Sequence, residues 1–334
     1  MPATSSRSWL FFLSALCVMV LAQWQVSSWQ QTHAENIDQL IDAARGVLSG
    51  TPHWRAYQNR ILSPALVHVM GWFSYQPMTL FVQYALFALN AALFLLVWRR
   101  TGHHLLGVLA VAACGLLWIL EHHRWSYTWD FTEAACWLAL SWMAINRASL
   151  KAVLLLIVVS AFNRESALFM CLYPLVCGAL LLRQDAAQGR RWIKGGVLAL
   201  VAVLLVTEGL RKLLFGYSSL SGVGVDASHA IFENHINLAI NLRLLATMVE
   251  QASPILFILA VYGVSMLWFI QVGISRRAPQ LVGLGVALSL YFASLLVFGL
   301  LHELRLYQPL NWCVAYLLLT SQSVGDAMVE VSSS

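Results

Sequence analysis

The stretch of sequence that decides the fold covers residues 152–182 and reads AVLLLIVVSAFNRESALFMCLYPLVCGALLL. A helix needs about 20 apolar residues to cross the roughly 30 Å hydrocarbon core of a bilayer. This stretch is long for one crossing and short for two, and it carries the polar tetrad NRES at positions 163–166. A basic residue flanks each end, and basic residues favour the cytoplasmic side of a membrane. The pattern therefore predicts two short helices, 152–162 and 166–182, that dip into the membrane and return.

The composition of the whole chain agrees with a membrane location. Of its 334 residues, 60% are hydrophobic and only 10% are charged. Soluble globular chains average roughly 45–50% apolar and about 25% charged residues, so a water-soluble enzyme and a disordered chain are both excluded. A membrane β-barrel would show alternating strands of about 10 residues. The continuous runs rich in Leu and Ala instead predict an all-α, polytopic transmembrane helical bundle.

Apolar runs of helix length recur along the chain and predict about 9–11 membrane helices, some of them short or broken. The runs lie at residues 8–28, 79–98, 104–120, 131–147, 152–182, 193–214, 252–274, 279–301 and 306–322. The first run continues past a possible signal-peptide cleavage site at Ala22, which favours a retained helix. We expect one integral-membrane domain over residues 1–322 and a short polar cytoplasmic tail over residues 323–334.

Lysine and arginine in the short loops set the expected orientation. The basic residues that share one side are Arg7, Arg99, Arg100, Arg147, Lys151, Arg183, Lys194, Arg276 and Arg277. This side is expected to be cytoplasmic, with the N-terminus, in a bacterial inner membrane. The rule explains much of the net charge of +5, so nucleic acid is not an expected partner. Most acidic residues fall on the other side, which predicts that any chemistry lies at the extracytoplasmic face.

The first outer loop, residues 29–60, contains a predicted amphipathic helix. One face repeats with helical period and carries Ile37, Leu40, Ile41, Ala44 and Leu48. The other face carries Asp38 and Asp42. Such a helix lies in the membrane interface. It is either a simple anchor or a means of holding one of the two acids over a cavity at membrane level.

The tetrad at residues 163–166 is the most unusual feature of the sequence. Ionisable groups at membrane depth are costly and usually mark a functional site. The Arg164 guanidinium is a candidate ligand for phosphate or pyrophosphate, because it binds such groups in a bidentate way. The alternative is an internal ion pair that involves Arg164 or Glu165 and holds the two short helices together.

The second outer loop ends with Asp130 and Glu133 at the start of the next helix, where acids interact favourably with the helix dipole. The neighbouring His122 and His123 lack the HxxxH or HExxH spacing of a metal site, so no protein-bound metal is predicted. No cofactor is required by these residues. A divalent cation, Mg²⁺ or Mn²⁺, held jointly by carboxylates and phosphates, is the one that would fit.

Two further outer segments carry polar residues. The turn after the eighth apolar run contains Glu303 and Arg305, which form either a surface pair or part of a site. The longer outer loop, residues 215–251, begins with a glycine-rich segment and continues with an amphipathic one. It is long enough to act as a lid.

The order of these motifs resembles that of a known family. The first loop carries G-x-P and Y-x-x-R-x-L-x-P, formed by Gly50, Pro52, Tyr57, Arg60, Leu62 and Pro64. The sequences NRESA at 163–167 and ELRxYxxP at 303–309 follow. This layout resembles the GT-C polytopic glycosyltransferases, which use polyprenyl-phosphate sugars, and poorly characterised bacterial membrane proteins grouped with them.

The resemblance implies transfer of a sugar from a polyprenyl-phosphate donor to a lipid or envelope-glycan acceptor at the extracytoplasmic face. Asp38 or Asp42 would be the general base. The residues expected to neutralise the leaving phosphate are Arg164, Arg60 and Arg305. The residues expected to orient these arginines or a divalent cation are Glu165, Asp130 and Glu303.

Two other functions fit the same residues. A transporter or lipid flippase would use Arg164 and Glu165 as a midmembrane site reached by alternating access. A non-enzymatic subunit of an envelope assembly would need no site at all. Polarity concentrated on one face favours the enzyme over a pathway lined from both faces. Membrane lipids and a lipid-linked sugar are the expected partners, and the sequence leaves the oligomeric state open.

Overall fold

The fold is all-α over the described part of the chain. The computed structural model describes residues 3–50, 60–120, 126–215, 237–251, 253–299 and 303–321. The helices are α1 (Ala3–His33), α2 (Ile37–Leu48), α3 (Leu62–Met70), α4 (Pro77–Thr101), α5 (His104–Leu120), α6 (Thr128–Ile145), α7 (Leu150–Ala161), α8 (Ala167–Met170), α9 (Leu172–Leu181), α10 (Ala186–Phe215), α11 (Leu238–Glu250), α12 (Pro254–Ser275), α13 (Pro279–Phe298) and α14 (Gln308–Thr320), with a 3₁₀ turn at Leu304–Tyr307. The predicted all-α bundle is confirmed, and every predicted apolar run contains a helix.

In the described part of the chain, five helices are long and apolar enough to cross a membrane, as expected of a multi-pass membrane protein. They are Ser8–His33, Pro77–Thr101, Ala186–Leu210, Ile255–Ser275 and Pro279–Phe298. Shorter apolar helices occur at His104–Trp118, Leu150–Ala161 and Ala167–Leu181. The predicted 9–11 membrane helices therefore include several that are too short to cross a bilayer alone.

Helices α6 and α14 form the centre of the bundle. Buried residues occur on all sides of both helices, including Trp129 and Trp137 of α6 and Trp312 of α14. A helix that is apolar all round is typically a buried one. Helices α1, α4 and α5 pack together on one side of this centre, whereas α7, α9, α10 and α13 pack on the other, with α12 against α13.

The chain between α7 and α9 enters the bundle and returns, as predicted from the polar tetrad. Helix α7 ends at Ala161, and α8 and α9 follow the junction at residues 162–166. A Cβ on Gly189 of α10 would lie 2.6 Å from the Leu182 nitrogen at the end of α9, and one on Gly195 would lie 3.0 Å from Leu150 at the start of α7. The start of α7 and the end of α9 therefore lie near the same part of α10.

The basic ends of several helices meet at one end of the bundle. Tyr316 of α14 interacts with Asn146 after α6 and lies within electrostatic range of Arg100 near the end of α4. The Arg276 guanidinium after α12 donates to the Ser321 carbonyl after α14 at 3.0 Å. The ends of α4, α6, α12 and α14 therefore lie close together, and the assignment of this end to the cytoplasm stays a prediction.

The first outer loop differs in part from the prediction. Helix α1 continues past the expected loop start at residue 29 and ends at His33, whose Nδ1 lies 2.8 Å from the Trp29 carbonyl. Of the predicted apolar face of α2, Leu40 and Ala44 are buried together with Ala43 and Val47, whereas Leu48 is 40% exposed. Contacts with the protein, mainly with α3, thus account for the amphipathic pattern of α2. Gly50 follows α2 with φ of 78°, a conformation that glycine adopts without strain.

Several predictions concern residues outside the described part of the chain. These residues include Pro52 and Tyr57 of the first-loop motifs, His122 and His123, the segment 216–236 of the expected lid, and the tail 323–334. The side chain of Arg305 also lies outside the described residues.

Candidate functional site

Five charged residues meet where the start of α3, the start of α6 and the α7–α8 junction converge. We call this group the junction cluster; it consists of Arg60, Asp130, Glu133, Arg164 and Glu165. Four of these five residues were candidates from the sequence. Glu133 was expected only to cap a helix.

Arg164 is held by two buried carboxylates. Its Nη1 atom lies 3.1 Å from Asp130 Oδ1 and 2.5 Å from Glu133 Oε2. Both acidic side chains are 0% exposed, and the Arg164 side chain is 12% exposed. Asp130 also accepts a hydrogen bond from the Tyr127 backbone N–H at 3.0 Å, so it caps α6 and pairs with Arg164 at once. Because an unpaired buried charge is very unfavourable, these contacts also stabilise the fold.

Arg60 is held less tightly than Arg164. Its Nη2 atom lies 3.5 Å from Glu165 Oε2, and the exposed fractions of the two side chains are 8% and 29%. The Arg60 guanidinium carbon lies 5.4 Å from the centre of the Trp129 ring, within cation–π range. The aromatic ring thus supports the guanidinium on one side while Glu165 contacts its edge.

A network of hydrogen bonds joins the start of α3, the start of α6 and the α7–α8 junction. The Leu62 N–H donates to the Phe162 carbonyl at 2.9 Å, which joins the start of α3 to the junction. Ser63 Oγ donates to Asn163 Oδ1 at 2.7 Å, and Asn163 Nδ2 donates to the Trp129 carbonyl at 2.9 Å. Both Ser63 and Asn163 are fully buried. Residues from three distant segments therefore position the two arginines.

Helix α13 connects the junction cluster to the last turn. Tyr291 lies within electrostatic range of Glu133 and Arg164, and its hydroxyl donates to the Leu306 carbonyl at 3.1 Å. Leu306 belongs to the 3₁₀ turn that follows Glu303, a partly buried residue. Tyr291 thus connects the junction cluster to the turn that follows Glu303, through the backbone of Leu306.

The two candidate bases lie elsewhere. Asp38 and Asp42 are exposed on the polar face of α2, and Asp42 lies 4.0 Å from Arg45 with both side chains 76% exposed. Surface pairs of this kind contribute at most about 1 kcal/mol. Among the described residues, neither acid makes an ion pair with the junction cluster. Their role as general base stays a prediction.

The cluster does not fit a resident divalent cation. It has two arginines and three carboxylates, so one negative charge is in excess when all are ionised. The Arg164 Nη1 atom, however, contacts both Asp130 and Glu133, the two buried carboxylates. In the described part of the chain, no group of three or more His, Cys, Asp or Glu residues is arranged to hold a metal ion.

Sequence reasoning missed several residues of the site. Glu133 and Ser63 carry contacts that no motif indicated, and Asn163 was part of the polar tetrad but its partners were not predicted. The sequence did contain one indication that Glu133 lies beside Asp130. The two residues are three positions apart and therefore share a helix face. The partners of Ser63 and Asn163 could not be found in this way, since they come from distant segments.

No family model, no curated protein and no solved structure matches this chain. The resemblance to GT-C enzymes therefore depends on the sequence motifs alone, and a functional proposal depends on the geometry of the junction cluster.

Proposed function

We propose that this protein is a GT-C-like membrane glycosyltransferase that transfers a sugar from a polyprenyl-phosphate donor to a lipid or envelope-glycan acceptor at the extracytoplasmic face. The observation that carries the proposal is the convergence of Arg60 and Arg164 at a break between membrane helices. Arg60 pairs with a partly exposed carboxylate, Glu165, and its planar guanidinium is suited to bind a phosphate, while Arg164 stays paired with Asp130 and Glu133.

The chemistry assigned to the cluster is stabilisation of the leaving group. The acceptor hydroxyl oxygen attacks the anomeric carbon of the sugar, and the bond from that carbon to the phosphate oxygen breaks. The bonding electron pair leaves with the lipid phosphate, whose growing negative charge the Arg60 guanidinium stabilises. The hydroxyl proton passes to a carboxylate, for which Asp38 and Asp42 are the candidates.

The first test is chemical identification of the bound lipid. The purified protein is expected to retain a polyprenyl phosphate or its glycosylated form, identified by mass spectrometry of extracted lipids. Sugar transfer from that lipid is then measured for Arg60→Lys, Arg164→Lys and the exposed control Arg45→Lys. Loss of a well-placed donor costs about 100- to 1,000-fold in turnover, so activity should fall this far for Arg60→Lys. Arg164→Lys should lower activity less, because it disturbs the ion pairs with Asp130 and Glu133 without removing a phosphate ligand, and the control should keep full activity. Full activity of both variants would remove the support for this function.

A transporter or lipid flippase is the second candidate. The observation that favours it is the discontinuous segment α7–α8–α9, with ionisable residues at the break, because transporters place substrate sites at such breaks. Purified protein in liposomes separates the two functions. A flippase moves the labelled lipid across the bilayer unchanged, whereas a glycosyltransferase releases its sugar.

A further inference from the structure

The two arginines of the junction cluster differ in how easily they can exchange partners. Arg164 lies against two carboxylates that are 0% exposed. Its withdrawal would leave two buried charges unpaired, which is strongly destabilising. Arg60 lies at the longer distance of 3.5 Å from Glu165, and that carboxylate is 29% exposed. The Glu165 carboxylate reaches solvent and its distance from Arg60 is longer, so this contact is the easier of the two to open. The buried Arg60 then needs another anion in place of Glu165.

We infer that Glu165 is an exchangeable counter-ion of Arg60, which the phosphate group of a lipid displaces when it binds. This inference rests on the proposed function for the choice of ligand. Arg60 is then the residue that binds the phosphate directly. Arg164 remains in its ion pairs with Asp130 and Glu133 and acts as a positioning residue for the neighbouring Glu165.

The surroundings of Arg60 are suited to such an exchange. The Trp129 ring lies 5.4 Å from the guanidinium carbon and is fully buried, so it supports Arg60 whichever anion is bound. The planar guanidinium offers paired N–H donors that match two phosphate oxygens, and Lys has no equivalent. Glu165 belongs to the junction between α7 and α8, so its side chain can move away without unfolding a helix.

The exposed side of α3 indicates that the phosphate is carried by a lipid. Arg60 lies two residues before α3, whose inward side contains the buried Ser63. The outward side is apolar apart from the exposed His68 and continues beyond the helix, with Leu66 and Val69 each 42% exposed and Phe73 78% exposed. A nine-residue helix is about 13 Å long, so a hydrocarbon tail along α3 would end with its phosphate near Arg60. Inorganic phosphate has no tail to use this surface.

The test measures binding without any sugar transfer. The full chain in nanodiscs of phosphatidylcholine is titrated with a polyprenyl phosphate or with inorganic phosphate, and bound lipid is counted by native mass spectrometry. The variants are Glu165→Gln, Arg60→Lys and the exposed control Glu250→Gln. Removal of the competing charge should tighten polyprenyl phosphate binding about two- to fivefold, because an ion pair of this kind is worth up to about 1 kcal/mol. Arg60→Lys should weaken binding at least tenfold, and the control should bind as the parent does.

Three outcomes would overturn the inference. Weaker or unchanged binding by Glu165→Gln at unchanged thermal stability would mean that Glu165 supports the site and does not compete for it. If inorganic phosphate bound saturably and as tightly as polyprenyl phosphate, the lipid tail would contribute nothing to binding. Unchanged binding by Arg60→Lys would remove the assigned ligand.

The inference and the proposed function fail separately. Tighter lipid binding by Glu165→Gln in a protein without transfer activity would retain the exchange and reject the glycosyltransferase. Transfer activity together with weaker lipid binding by Glu165→Gln would retain the glycosyltransferase and reject the exchange of Glu165 for phosphate.

Discussion

At the scale of single residues, burial separates the two groups of candidate acids. Asp130 and Glu133 are fully buried against Arg164, whereas Asp38 and Asp42 are exposed on α2. A buried charge that loses its partner destabilises the fold, whereas an exposed one does so very little. Substitutions of Asp130 or Glu133 should therefore lower thermal stability, whereas substitutions of Asp38 or Asp42 should leave stability unchanged.

Removal of a buried partner of Arg164 should lower stability. For Glu133→Ala we expect a loss of about 3–5 kcal/mol, because Arg164 keeps only Asp130 in a buried site. Thermal unfolding of the purified protein in detergent measures this loss. Glu250→Ala is the matched control, since Glu250 is exposed at the end of α11. Equal melting temperatures of the two variants would contradict a stabilising role for Glu133.

Amide substitutions of the exposed acids should affect activity alone. Asp38→Asn and Asp42→Asn keep the shape of the side chain but cannot accept a proton at neutral pH. We expect one of them to abolish transfer at unchanged protein abundance. Lipid and glycan profiling of a deletion strain, complemented with each variant at matched protein level, is the measurement. Full complementation by both variants and by Arg164→Lys would reject the enzymatic function.

At the scale of helices, the break between α7 and α8 is held by hydrogen bonds that replace helical ones. Helix α7 ends at Ala161, and the chain then bonds to α3 through Leu62 and to α6 through Asn163. Irregular backbone is tolerated at membrane depth where it is buried in protein. These bonds should therefore determine whether the cluster forms.

Loss of the Asn163 amide should destabilise the junction. Asn163→Ala removes the bonds to Ser63 and to the Trp129 carbonyl, and a hydrogen bond contributes about 0.5–1.5 kcal/mol. Ser63 keeps its bond to Thr132 at 2.7 Å. Asn146→Ala is the control, because the Asn146 amide makes one exposed bond to the Trp142 carbonyl. A larger fall in melting temperature is expected for Asn163→Ala. A similar fall for both variants would show that the junction bonds add no stability.

Close packing of α9 and α10 should make Gly189 intolerant of a side chain. A Cβ at this position would lie 2.6 Å from the Leu182 nitrogen and 2.9 Å from the Gly178 carbonyl oxygen, so the two helices would have to separate. We expect Gly189→Ala to cost about 1–3 kcal/mol. In contrast, Gly209→Ala in the same helix meets nothing within 4 Å and should stabilise it by up to about 1 kcal/mol. Thermal unfolding of both variants compares them, and equal stability would contradict the packing.

At the scale of the whole molecule, the distribution of charge predicts the orientation. The basic ends of α4 and α12 lie at the end of the bundle that contains the end of α14, and the junction cluster contains the start of α6. Because basic residues favour the cytoplasmic side, the cluster is expected to face the opposite side.

Cysteine labelling measures this orientation. We expect an impermeant maleimide to label Arg45→Cys on intact cells and to leave Gln184→Cys unlabelled until the membrane is opened. Both positions are exposed, and Gln184 precedes Asp185, which caps α10 and is left unchanged. The six native cysteines are first replaced. Labelling of Gln184→Cys alone on intact cells would invert the orientation.

The sequence by itself determined the all-α membrane fold and the broken helix at residues 163–166. Both follow from local patterns, because a run of apolar residues must satisfy its backbone within a helix and a polar tetrad interrupts such a run. Only the tertiary structure decided that Arg164 pairs with Asp130 and Glu133 and that the apolar face of α2 packs on protein. These partners are distant in the chain, and the packing of helices against one another brings them together. No local pattern contains that information.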